Sequence, residues 1–144
     1  MVGASSLAAA FLCLWVAGCG SVAEDTPGPQ PPGTQLEITV WPKGEGNGNP
    51  LRTTLSCDPA GSDVSDPETP CAVIAAKGVA VFEPTPAGMA CTELYGGPQE
   101  ARVIGSVNGQ DVESRFSRKD GCEIARWDAI ASFVPVPAWD PLGR

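Results

Sequence analysis

The chain has 144 residues, 42% of them hydrophobic, with 17 glycines and 15 prolines, which fits one loop-rich domain plus some unstructured chain. Its formal net charge is −8 with no basic cluster, which argues against nucleic acid or an anionic membrane surface as partner. Histidine is absent, which removes Ser-His-Asp and Cys-His catalysis and imidazole metal sites. Paired-carboxylate enzymes are the class left, and no such constellation can be named, so the chain reads as a binding protein without a cofactor.

Leu7 to Ala17 is an uninterrupted apolar run. It has the length of a signal-peptide core and falls short of the roughly 20 residues a membrane-spanning helix needs. The run ends in Val16-Ala17-Gly18-Cys19, which resembles the bacterial lipobox, where the cysteine is lipidated and becomes the new N-terminus. Met1 to Ser6 departs from the pattern in carrying no Lys or Arg, and ordinary cleavage near Ala23 is the alternative. Residues 1–23 are therefore expected to export the chain, either to secretion or to a lipid anchor at the outer face of the bacterial membrane. Residues 24–35, with Pro27, Pro29, Pro31 and Pro32, form a semi-extended linker unable to bury anything. The folded domain is expected over 36–134.

Leu36, Ile38 and Val40 alternate as a half-buried strand, and Leu51, Thr53, Leu55 and Cys57 repeat the pattern. Gly44, Gly46 and Gly48 between them superficially resemble a nucleotide-binding loop. Because a strand follows and not a helix, they read as a hairpin connection. Asp66-Pro67-Glu68 opens a short helix that runs to Lys77 and stops at Gly78, with Pro70 tolerated in its first turn. Ala101, Val103 and Val107 share a strand face that enters Asn108-Gly109, a strong hairpin signal, and Val112 and Phe116 return. Asp120 and Glu123 resemble a capping box ahead of a helix from Cys122 to Ala131, where Ile124, Trp127 and Ala131 fall at helical spacing. Glu123, Arg126 and Asp128 read as the solvated face of that helix. Phe133 to Val136 would add a short edge strand, and 135–144 is an irregular tail with Pro135, Pro137, Trp139 and Pro141. The sum is an α+β domain: a single antiparallel sheet of about five strands with two short helices.

Cys57, Cys71, Cys91 and Cys122 remain after the export segment, an even number in an exported chain, so two disulfides are expected in one of three pairings. No Cys-x-x-Cys pair supports zinc. Val81 to Pro98 has neither period, with Pro84, Pro86 and Pro98 at its flanks and Cys91 near its middle. A long irregular segment pinned by a bridge is either a functional loop or a plain connector.

The run Cys91-Thr92-Glu93-Leu94-Tyr95-Gly96-Gly97-Pro98 resembles the reactive site of the subtilisin inhibitor-like family of serine protease inhibitors. Thr54-Leu55-Ser56-Cys57-Asp58-Pro59, a helical Cys71, Gly121-Cys122-Glu123 and Arg126-Trp127 extend the resemblance over roughly Leu36 to Phe133. It implies a five-stranded sheet with two helices, bridges Cys57–Cys71 and Cys91–Cys122, and members that commonly pair through the sheet as homodimers. It also implies inhibition of subtilisin-like and trypsin-like endopeptidases through an exposed bond two residues after the loop cysteine, here Glu93–Leu94, with Thr92, Tyr95 and Pro98 completing the loop. Tyr95 is expected either to support the loop from its far side or to be a core aromatic. Where the family usually has Met, Lys or Arg, this chain has Glu93, which points to a glutamate-specific serine protease or an enzyme with a basic or roomy pocket. The bland alternative is a tolerated surface charge on a cell-surface lipoprotein that reuses the scaffold for protein binding without inhibition.

Overall fold

A computed structural model describes residues 33–63 and 66–135. The export segment with Cys19, the linker up to residue 32 and the tail from residue 136 lie outside the described residues. Among the described residues, no helix is long and apolar enough to cross a membrane.

Alternation of apolar and polar side chains builds the sheet. Strands β1 (Gln35–Trp41), β2 (Leu51–Cys57), β3 (Ala60–Ser62), β4 (Glu100–Val107) and β5 (Gln110–Ser117) pair antiparallel in the order β3-β2-β1-β4-β5. Helices α1 (Glu68–Lys77) and α2 (Gly121–Ala129) complete the α+β domain. Leu36, Ile38, Val40, Leu55, Ala101, Val103, Val107, Val112 and Phe116 from the strands join Ile74, Trp127, Ile130 and Phe133 in one buried cluster. Each buried Val, Leu, Ile or Phe side chain of the cluster contributes about 1.5–3 kcal/mol on leaving water. Among the other strand positions, Arg52 pairs with Glu37 at 3.3 Å, and Arg115 pairs at 2.8 Å with Glu45 of the β1–β2 connection.

Turn chemistry sets the register. Asn108 and Gly109 both take positive φ, 51° and 80°, as the tight turn between two right-twisted strands demands. The disulfides are Cys57–Cys71, tying β2 to α1, and Cys91–Cys122, each with Cα atoms 5.4 Å apart. Closing these loops disfavours the unfolded chain by about 3 and about 4 kcal/mol in the chain-entropy account.

The expected outline needs three corrections. The fifth strand is β3, folded back on β2; of the expected edge strand, Phe133–Pro135 pairs with no strand and Val136 lies outside the described residues. Ala131–Phe133 is a 3-10 turn that drives Phe133 into the core, 6.0 Å from the Phe82 ring. Burial of that side chain outweighed the strand pattern. Helix α2 closes at Ala129, and Ile130, whose amide bonds back to the Trp127 carbonyl, is the buried residue where Ala131 was expected. The domain also begins before Leu36: Thr34 is buried and accepts from the Cys57 amide, while Gly33 accepts from Asn108. These bonds draw the end of the expected linker into the sheet.

At the start of α1 the Asp66 carboxylate accepts from the Thr69 hydroxyl at 2.6 Å and from the Thr69 amide at 3.3 Å. These bonds, the hydroxyl first, hold its pKa below the ordinary aspartate value. Because the folded value is depressed, these bonds stabilise above the unfolded pKa and their contribution is lost as pH falls through the folded one. A carbon-detected titration should place Asp66 below an ordinary aspartate, and Thr69→Ala should move it back up. A second test concerns β4, where Gly105 has φ +148° and a Cβ there would run into the Gln35 carbonyl. Gly105→Ala should therefore cost on the order of 2 kcal/mol or more, read as a lower urea midpoint.

Candidate functional site

A 3-10 helix, Gly78–Phe82, ends the α1 side of the chain. It includes Val81 and Phe82, which the sequence assigns to the irregular loop; both are buried, and their burial explains the difference. From Glu83 to Gln99 the chain has no regular structure, as expected of a segment holding Pro84, Pro86 and Pro98. The loop is exposed at its centre. Glu93 faces water, and Leu94 and Tyr95 are 61% and 66% exposed. Of the four exposed large hydrophobic residues among those described, three (Met89, Leu94 and Tyr95) stand on this loop. Tyr95 is thus no core aromatic.

What holds the loop is the corner between β5 and α2. Cys91 is bonded to Cys122. The Gly121 amide donates to the Thr92 carbonyl at 3.0 Å, and the Gly96 amide donates to the Arg118 carbonyl at 2.7 Å. The arc Thr92 to Gly96 is therefore fastened at both ends to residues 118–122, with the Glu93–Leu94 bond between the fastenings. Arg118 also donates to the Gln99 side chain at 3.3 Å, and the Pro98 carbonyl lies against Gly44 of the β1–β2 hairpin. The sequence-predicted residues Cys91, Thr92, Glu93, Leu94, Tyr95 and Pro98 thus form one continuous feature, and Cys57–Cys71 lies apart from it as a staple of the opposite side.

The corner is shaped for this approach. A Cβ on Gly121 would overlap the Thr92 hydroxyl, and one on Gly96 would meet Ile124 at 2.9 Å. Asp120 caps α2 by accepting from the Glu123 amide at 2.9 Å, which is half of the expected capping box. The other half is missing because the Glu123 carboxylate turns to the loop, where it accepts from the Thr85 hydroxyl at 2.9 Å and pairs with Arg126 at 2.8 Å.

Arg126 and Glu123 are the residues that the sequence misplaces. Expected on a solvated face, their side chains are only 15% and 14% exposed, whereas Asp128 is exposed as expected. Arg126 donates to the carbonyls of Glu83 and Arg115 and to the Ser114 hydroxyl at 2.8–3.0 Å, and its guanidinium lies 4.5 Å from the Phe116 ring centre. The legible signal was the spacing itself: Glu123 and Arg126 sit one turn apart beside the buried Trp127.

One group of acidic and sulfur side chains among the described residues is close enough to hold a metal: Cys91, Asp120 and Cys122. Both sulfurs are committed to the disulfide and the carboxylate to the helix cap, so the group is a structural knot and not a ligand set.

No known protein family matches this sequence. No curated protein matches it either.

The corner makes a direct prediction. Gly121→Ala should push Thr92 off α2 while leaving the core intact. The expected outcome is a fold with native circular dichroism and both disulfides, in which the Thr92 to Gly96 backbone gives broadened or shifted resonances.

Proposed function

We propose that the protein is an exported inhibitor of serine endopeptidases, of the subtilisin inhibitor-like kind, acting through the Glu93–Leu94 bond. One observation carries this reading: that bond lies in an exposed arc whose two ends are fastened to a single rigid corner. A free peptide entering a protease cleft must order its backbone at roughly 1–2 kcal/mol per residue. Over about six residues this approaches the whole free energy of nanomolar binding. A loop already held in one shape avoids most of that loss.

The same clamping explains why such a loop is a poor substrate. When the protease serine attacks the Glu93 carbonyl, an acyl-enzyme forms and the amine of Leu94 leaves. Gly96, two residues on, stays bonded to Arg118, so the amine remains beside the ester at high effective concentration. Re-formation of the peptide bond then outruns attack by water.

Glu93 sets the target. A carboxylate pressed unpaired into an apolar or acidic specificity pocket loses several kcal/mol to desolvation. That is roughly two or more decades of affinity. The favoured partner is therefore a glutamate-selective serine protease, or a subtilisin-like enzyme whose pocket is basic or wide. Two disulfides fit the oxidising compartment that the N-terminal run implies.

The test is an inhibition panel of trypsin-like, subtilisin-like and glutamate-specific proteases against the native chain and Glu93→Lys. The native chain should inhibit the glutamate-specific enzyme best. The substitution should shift potency toward trypsin by roughly two decades. No gain on trypsin would mean the reactive bond lies elsewhere. Cutting at several loops in place of one slow nick after Glu93 would favour a non-inhibitory binding scaffold.

A further inference from the structure

We propose that Arg126 is a positioning residue for the leading shoulder of the loop, Glu83 to Thr85, and thereby controls how slowly the Glu93–Leu94 bond is hydrolysed. The inference rests on the inhibitory reading and names a determinant within it.

The shoulder has little else to hold it. Pro84, Pro86, Met89, Ala90 and Thr92 line an open groove of about 550 Å³ between the loop and α2, with Ala125 and Arg126 opposite. The shoulder therefore borders open space on the side that faces the helix. Its ties to α2 are polar: Arg126 Nε donates to the Glu83 carbonyl at 2.8 Å, and Thr85 donates to Glu123, which is itself paired with Arg126. On the sheet side, Ser114 receives Arg126 at 3.0 Å and donates to the Phe82 carbonyl at 2.7 Å, directly before the shoulder begins.

Arginine suits the position for a geometric reason. Its planar fork directs donors at fixed angles to Glu83, Arg115, Glu123 and Ser114 together, while its face rests on Phe116. A lysine ammonium is a point charge with three donors and no flat face, so it cannot satisfy the same set. The guanidinium thus ties the edge strand, the helix and the loop at one point. Upstream of Cys91, losing it would leave the loop to swing from Phe82, and motion there displaces Cys91 and Thr92 next to the reactive bond.

The experiment compares the full chain with Arg126→Lys, which keeps the charge, and Thr85→Val, which keeps the shape but loses the bond to Glu123. Backbone nitrogen relaxation is measured on each, together with kcat and KM for cleavage after Glu93 by a glutamate-specific protease. In the native chain, Glu83, Thr85 and Met89 should show order parameters near those of rigid backbone, about 0.85, falling below about 0.6 in Arg126→Lys. Strands β1 and β4 should not change. The cleavage kcat should rise roughly tenfold, with a smaller rise for Thr85→Val. Order parameters that fall equally in strands and loop, or a loop unchanged in both variants, would overturn the proposal. Should Arg126→Lys fail to fold, Thr85→Val decides alone. A native chain that inhibits no protease would refute the inhibitory reading, and the relaxation data would then judge the strut by themselves.

Discussion

The bond between Cys91 and Cys122 fixes the loop to the corner between β5 and α2. The corner from Arg118 to Arg126 leaves the sheet at β5 and runs into α2, whose Trp127 is fully buried. Rigidity thus passes from the apolar core to the helix, from the helix to its first turn, and from that turn to the loop. The disulfide alone would leave the arc free to rotate about one point. The amides of Gly121 and Gly96 add a grip on either side of the exposed residues, and a bound backbone donor or acceptor cannot turn away without losing its partner.

The ion pair beneath the shoulder shows how polar groups serve this arrangement. Bringing Arg126 and Glu123 largely out of water costs desolvation that their attraction alone would barely offset. Here four of the five guanidinium donors are used, on Glu83, Arg115, Glu123 and Ser114, and Thr85 donates to the other Glu123 oxygen. A connected network of this type sets geometry more than it adds stability. That suits the proposed inhibitory loop, which would act by keeping one shape.

Much of this was legible in the sequence, and the exceptions have physical causes. Alternation located β1, β2, β4 and β5, and Asn108-Gly109 located the tight turn, because a period of two and a left-handed turn leave few other solutions. β3 escaped notice because Ala60-Gly61-Ser62 has no large apolar residue to alternate; it exists by pairing with β2. Phe133 looked like strand and became the plug of a 3-10 turn, since its burial is tertiary. Reading along the chain found the stretch Cys91 to Pro98 as a unit, but not that Thr92 and Gly96 are fastened to the same corner. Arg126 was misread for a related reason: charge on a helix predicts solvent unless the loop that covers it is known.

The strand order has a further consequence for the intact molecule. Everything before Glu93 supplies β1, β2, β3 and α1, and everything after Leu94 supplies β4, β5 and α2. The two portions meet along the β1–β4 seam, paired from Gln35–Ser106 to Trp41–Glu100. Each portion carries its own helix, and a single sulfur bridge, Cys91–Cys122, spans the divide. The protein is thus two interlocking halves zipped down the middle of the sheet, with the loop as the hinge-pin of the main chain. Withdrawing that pin by one cut would leave both halves in register.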